Sequence, residues 1–181
     1  MTLTTPGNPT PILDDSSTMA LPDTPRAQVL PWSSTLARLV LGGVWIAAGL
    51  AKITDLEASV RAVRAYALLP EGVVQIVGPG LSPAEIVLGV LLVVGAGVRV
   101  GAVISTVLMA AFVVGIASAW ARGLRIDCGC FGSGGQLAPG ADPTYGWELA
   151  RDGGLLVLAL FLLRWPAGRW MLDSVLTRKD M

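Results

Sequence analysis

Residues 100–121 read VGAVISTVLMAAFVVGIASAWA, an apolar run that contains no Asp, Glu, Lys or Arg. About 20 helical residues, each rising about 1.5 Å, are needed to cross a hydrocarbon layer of about 30 Å. The run therefore predicts a membrane-spanning helix. Three further apolar segments flank it, at 32–53, 83–98 and 143–165. In the first, Arg38 and Lys52 lie near opposite ends, where long stems would carry the charges out to the headgroups. The second opens with Ser82-Pro83-Ala84-Glu85, which has the form of a capping box with proline in the first turn.

The fourth segment is the least regular. Glu148, Arg151 and Asp152 occupy its first half, and Leu155 to Leu163 is uninterrupted. One reading puts these charges at the membrane surface with Arg151 and Asp152 pairing locally; the other turns Glu148 or Asp152 inward toward a polar cavity. Trp32, Trp120, Trp147 and Trp165 fall at the proposed ends, where amphipathic rings prefer to sit. Small residues recur at four-residue spacing, Gly43, Ala47 and Ala51 in one segment and Ala111, Gly115 and Ala119 in another, and read as helix-packing stripes.

Whole-chain composition agrees. Of 181 residues, 53% are apolar and 14% charged, with a mean hydropathy of +0.65; soluble chains carry about 25% charged residues. The excess apolar surface must face lipid. Thirteen basic and thirteen acidic side chains cancel, and no basic cluster offers a footprint for nucleic acid. Histidine is absent, which excludes Ser-His-acid triads, histidine-ligated haem and Cys/His zinc sites within this chain.

The expected fold is all-α, an integral membrane four-helix bundle. Residues 54–81 are too long for a turn. Leu56, Val60, Val63 and Ala67 share one helical face and Glu57, Arg61 and Arg64 another, so an amphipathic helix is expected in this first connection. Residues 1–31, with six of the twelve prolines, read as a disordered tail retained in the mature protein, 32–166 as the transmembrane domain and 167–181 as a C-terminal tail. Four spans place both termini on one side. The basic residues divide seven against six between the two sides, so charge does not fix the orientation.

The chemistry concentrates in residues 122–135, RGLRIDCGCFGSGG, directly after the charge-free span. Cys128 and Cys130 are separated by one residue, and a disulfide needs Cα atoms about 4.4 to 6.8 Å apart. Gly129 makes the required turn sterically accessible. A ring that small is strained, and strain produces a labile, oxidising bond. It also closes almost no loop, so it stabilises little. A structural staple and a metal site shared with another chain are the alternatives to thiol exchange. Two cysteines alone do not complete a zinc or iron-sulfur shell, so no metal is assigned. Arg122 and Arg125 would favour a thiolate if they fold over the loop, and the adjacent Asp127 would oppose it.

In order along the chain, Lys52 closes the first span, Tyr66-Ala67-Leu68-Leu69-Pro70 lies in the first connection, Pro83-Ala84-Glu85 opens the second span, and Arg99 sits between the second and third. Together with Asp127-Cys128-Gly129-Cys130-Phe131-Gly132, these resemble the methylamine utilisation protein MauE family, within a DoxX-like group of four-helix membrane proteins, over about Leu36 to Trp165. The resemblance implies a part in methylamine metabolism, in maturing the disulfide-rich small subunit of methylamine dehydrogenase outside the cytoplasm. It also implies that the cysteine loop is extracytoplasmic and both termini cytoplasmic.

The leading expectation is a multi-pass cell-membrane protein, a thiol-disulfide oxidoreductase if it is an enzyme. Cys128 and Cys130 would be the catalytic pair, and Arg125, Asp127, Gly129, Phe131 and Gly132 the supporting loop. Its partners would be the lipid bilayer and an extracytoplasmic thiol protein. A membrane quinone is the electron partner considered, because one cysteine pair has no second pair to relay through. Two other classes stay open: a non-enzymatic assembly factor, and an electron-transfer subunit of a membrane complex in which Glu85, Arg99 or Asp152 would line a polar path.

Overall fold

The computed structural model describes residues 25–130 and 134–166, with side chains from residue 31 onward. The chain is mostly helical. Four long helices are α1 (Pro25–Ile53), α3 (Glu71–Val94), α4 (Val98–Ala121) and α5 (Tyr145–Arg164), with a short helix, α2 (Leu56–Ala65), after the first. Two two-residue strands, β1 (Ile126–Asp127) and β2 (Gly135–Gln136), pair antiparallel in the cysteine loop, Ile126 opposite Gln136 and Asp127 opposite Gly135. Strands this short carry no signal in the sequence.

Within α1, α3 and α4, the stretches Pro31–Ile53, Glu71–Val94 and Val98–Ala121 are long and apolar enough to cross a membrane. The outer faces carry the apolar side chains that soluble proteins hide: Ile76, Val87, Val100, Val107 and Val114 are exposed. Trp32 and Trp165 at one end, and Trp120 and Trp147 at the other, are also exposed, as rings at two membrane interfaces would be.

Two boundaries move. α1 begins at Pro25, so residues 25–31 are helical where a tail was expected; the remainder of that tail, and residues 167–181, lie outside the described residues. α3 begins at Glu71, after the extended Pro70, and runs through Pro79 and Pro83. The Ser82-Pro83-Ala84-Glu85 pattern is therefore helix interior, not a helix start. Proline inside a helix costs a backbone hydrogen bond, and the surrounding helices make that cost tolerable in membrane segments.

α1 packs chiefly on α3, and α4 on α5, with smaller contacts of α1 with α5 and α3 with α4. The α1–α3 seam is built on glycines. A Cβ at Gly89 would lie 2.6 Å from the Gly42 carbonyl oxygen, and one at Gly49 2.7 Å from the Ser82 carbonyl oxygen. The packing stripe is thus Gly42 and Gly49, whereas Gly43, Ala47 and Ala51, read as the contact stripe, are exposed. On the other side of the core, Leu41, Trp45, Leu92, Ala102, Met109 and Leu162 are buried together. Trp45 donates its indole N–H to Ser105 Oγ at 3.0 Å, so its polar edge is satisfied.

Ser34 Oγ donates to the Trp165 carbonyl at 2.7 Å, tying the start of α1 to the end of α5. The cysteine loop, α2 and the first turn of α5 gather at the opposite end. α2 is capped by Asp55, whose side chain accepts the Ala58 N–H at 2.8 Å. It buries Ala58, Ser59, Val60 and Ala62, while Leu56 and Ala67 of the expected apolar face are exposed. The bare Gly78 lets Val60 approach α3, for a Cβ there would lie 2.7 Å from the Val60 Cα.

Candidate functional site

The loop from α4 turns back at Gly129, whose φ of +71° is the left-handed conformation that glycine adopts without strain. Its N–H donates to Asp127 Oδ1 at 3.1 Å, so the Asp127 side chain holds the turn. The Cys130 N–H points to Cys128 Sγ at 3.5 Å. Tyr66, just beyond α2, donates from its hydroxyl to the Cys128 carbonyl at 3.2 Å. At the loop base, Tyr145 donates to the Leu124 carbonyl at 2.5 Å and accepts the Ile126 N–H at 3.1 Å. Both cysteines are free thiols and both are buried, at 9% and 8% exposure.

Each sulfur meets one charged residue of α5. Arg151 Nη2 approaches Cys128 Sγ at 3.6 Å, and the Cys130 thiol points to Asp152 Oδ2 at 3.7 Å. Arg151 and Asp152 pair with each other at 2.8 Å. This decides between the two readings of the α5 charges and corrects the expectation for the loop arginines. Asp152 and Glu148 are buried and turned toward the loop rather than to the membrane surface, although the local Arg151–Asp152 pairing is present. Arg122 and Arg125 are not the arginines beside the thiols. Arg122 donates to the Tyr66 carbonyl at 2.5 Å, and Arg125 to the Ala141 carbonyl at 2.5 Å, both on the exposed side of the loop.

The pair shares its protons unequally. Hydrogen bonds from the Cys130 thiol and N–H, with the Arg151 guanidinium, hold Cys128 below the ordinary thiol range against the opposing effect of burial. Donating to Cys128, then burial and the nearby Asp152 carboxylate, pushes Cys130 up. Burial also raises the Tyr66 hydroxyl, which stays a neutral donor. One acidic and one proton-holding thiol is the polarity that thiol exchange uses.

Cys128, Gly129 and Cys130 line a cavity of about 300 Å³, walled also by α2, α3 and α4 and by Tyr66, Phe112 and Lys52. Behind Cys130, a smaller void is shared with Asp152 and Glu85. Glu85 is fully buried and accepts from Lys52 Nζ at 2.7 Å, and Lys52 is itself 4% exposed. Lys52 thus turns inward to a carboxylate instead of reaching the headgroups, and Arg38 is likewise buried. Of the residues read as a polar path, Glu85 and Asp152 line this one void, whereas Arg99 is exposed in the first turn of α4 and does not line it. Phe131 and Gly132 of the supporting loop lie outside the described residues.

Sequence reasoning placed Arg151 elsewhere and gave Glu148 no role at the sulfurs. Asp127, Cys128 and Glu148 each offer a ligand atom, and all lie within 4.8 Å of one another. Among the described residues, Glu148 Oε2 is buried without a hydrogen-bond partner.

Residues 30–164 match the family described as Methylamine utilisation protein MauE. The chain belongs to the MauE family. The match covers α1 through α5 except for the first residues of α1, and includes the whole site. As a MauE protein with three helices fit to cross a bilayer, it is a membrane protein of a family named for methylamine utilisation. No curated protein and no solved structure matches the chain.

Proposed function

We propose that this MauE protein is a four-span membrane thiol-disulfide exchange factor that supports maturation of an extracytoplasmic, disulfide-bearing protein of methylamine utilisation. The observation that carries the reading is the pairing of each sulfur with its own charged group, Cys128 with Arg151 and Cys130 with Asp152, at the wall of one cavity. Cys128, the more acidic thiol, attacks a partner disulfide. Its S–S bond breaks, a mixed disulfide forms, and the departing partner sulfur takes up a proton. Cys130 then gives its proton to Asp152 and resolves the mixed disulfide, leaving Cys128–Cys130 oxidised and the partner reduced; the reverse sequence oxidises a partner dithiol.

In this reading α5 is the fourth span, with Arg164 at its end and Glu148, Arg151 and Asp152 sheltered by the loop rather than by lipid. α2 lies along the membrane surface over the bundle. Four spans keep both termini on one side of the membrane and the loop on the other; in this reading the termini are cytoplasmic and the loop extracytoplasmic, the orientation that the family resemblance implies.

The test replaces Cys128 and Cys130 separately with serine in the full chain in its native membrane. Cys130→Ser is expected to accumulate a mixed disulfide through Cys128, resolved by reduction on a gel. Full function in both variants with nothing trapped defeats the proposal. A membrane-impermeant maleimide applied to intact cells, after mild reduction, is expected to label the loop; labelling confined to opened cells reverses the orientation.

The Asp127–Cys128–Glu148 grouping and the unpartnered Glu148 oxygen favour one second reading, a thiolate-carboxylate site for a divalent transition metal. Zinc added to the reduced protein would then shield Cys128 from alkylation, and Glu148→Gln would remove the shielding.

A further inference from the structure

We propose that the cavity beside the cysteine pair binds the ring of a membrane quinone, which is the oxidant of the Cys128–Cys130 dithiol. This rests on the exchange reading and supplies the electron acceptor that reading needs to turn over.

Size comes first. A cavity of about 300 Å³ lies at the small end of small-molecule sites, about 300 to 1,000 Å³. It suits a one- or two-ring headgroup. Its chemistry narrows the class further. The wall is nearly all carbon, with Tyr66 and Phe112 supplying aromatic faces. A charged or peptide-like ligand would shed its hydration there for little return. The mouth is rimmed by Leu68, Leu69 and Val77, which are exposed in the described residues. Such a rim on a membrane protein opens toward acyl chains rather than toward water. The ligand is therefore lipid-soluble.

Two features distinguish a quinone from an inert lipid chain. Cys128 and Cys130 both form part of the wall, so the ligand sits against the electron donors. Lys52 also lines the cavity, and the one hydrogen bond it makes to Glu85 uses one of its three N–H donors. An ammonium beside a ring carbonyl can donate to that oxygen as it gains charge. The reaction balances without another reagent. Two S–H bonds break and one S–S bond forms; the electron pair and both protons pass to the quinone, whose two carbonyl oxygens become hydroxyls. The disulfide can then be handed to a partner dithiol, which restores the thiols.

The test uses the full chain, reduced and held in lipid nanodiscs under argon, with a decyl-substituted benzoquinone as probe. Quinone reduction is read by absorbance and thiol loss by maleimide mass shift. One quinol per two thiols lost is expected, and no reduction when either cysteine is serine. Ala111→Trp and Val63→Trp fill the cavity from α4 and α2; each is expected to slow oxidation by about tenfold or more, while the small water-soluble oxidant diamide still oxidises the pair. The proposal is overturned if the quinone leaves the parent's thiols reduced, or if both filled variants react as fast as the parent. In either case a mixed disulfide trapped through Cys128 leaves the exchange reading intact. Conversely, quinol formation with no trapped partner strikes the exchange reading alone.

Discussion

Two acid-base pairs among the described residues hold a buried carboxylate, and they are built differently. Lys52–Glu85 joins α1 to α3, with side chains 3% and 1% exposed. Arg151–Asp152 joins neighbours on α5, with side chains 25% and 2% exposed, and each partner also reaches a sulfur. The first links two helices that glycines already hold in backbone contact. The second leaves hydrogen-bonding capacity for the thiols. The pair that crosses helices ties them together, whereas the pair confined to a single turn has its geometry fixed and lends its charge to the sulfurs.

The largest effect falls on the cross-helix pair. Lys52→Ala leaves Glu85 buried without its cation, and removing one partner of a buried pair typically costs about 3–5 kcal/mol. Thermal unfolding in detergent micelles should show a large loss, and the double variant Lys52→Met with Glu85→Leu should recover most of it. A Lys52→Ala protein that melts with the parent would erase the distinction.

The α5 pair should act on reactivity instead. Arg151→Gln removes the cation that favours the Cys128 thiolate, so the pH–rate curve for alkylation of Cys128 moves to higher pH, and labelling at neutral pH slows several-fold. Asp152→Asn removes an anion that disfavours thiolate formation, so the same curve moves to lower pH by a smaller amount. Stopped-flow alkylation with a small iodoacetamide reads both. Shifts of the same sign in the two variants would contradict the arrangement. The smallest effect is expected for Tyr66→Phe, which loses one hydrogen bond to the Cys128 carbonyl, worth about 0.5–1.5 kcal/mol. It should lower the melting temperature slightly and leave the alkylation profile in place.

The two regions also differ in how far the sequence reveals them. Residues 100–121 predict a span because no charge interrupts them, and α4 covers Val98–Ala121. The cysteine pair is equally plain, since the spacing of Cys128 and Cys130 is local. What is not legible depends on residues far apart in the chain. Lys52 reads as a surface lysine until Glu85, on another helix, is brought beside it. Arg151 reads as half of a local pair until the loop folds back over α5. The start of α3 is hidden by Ser82-Pro83-Ala84-Glu85, which has the form of a helix cap but sits in mid-helix. The glycine seam is displaced from the stripe that spacing suggested, because Gly42 and Gly43 are adjacent and only packing against α3 chooses between them. The one long-range clue in the chain was the Tyr66–Pro70 segment, whose tyrosine and leucines form part of the cavity wall and rim.

The bare-backbone contact between α1 and α3 bears on how the protein moves. Two helices meeting peptide to peptide at Gly42 and Gly89 have no side-chain cushion to compress, so sliding or rotating one past the other runs at once into hard repulsion. That half of the molecule serves as a fixed post. Any rearrangement that accompanies a change in the sulfurs' bonding would then fall to α4, α5 and the chain between them.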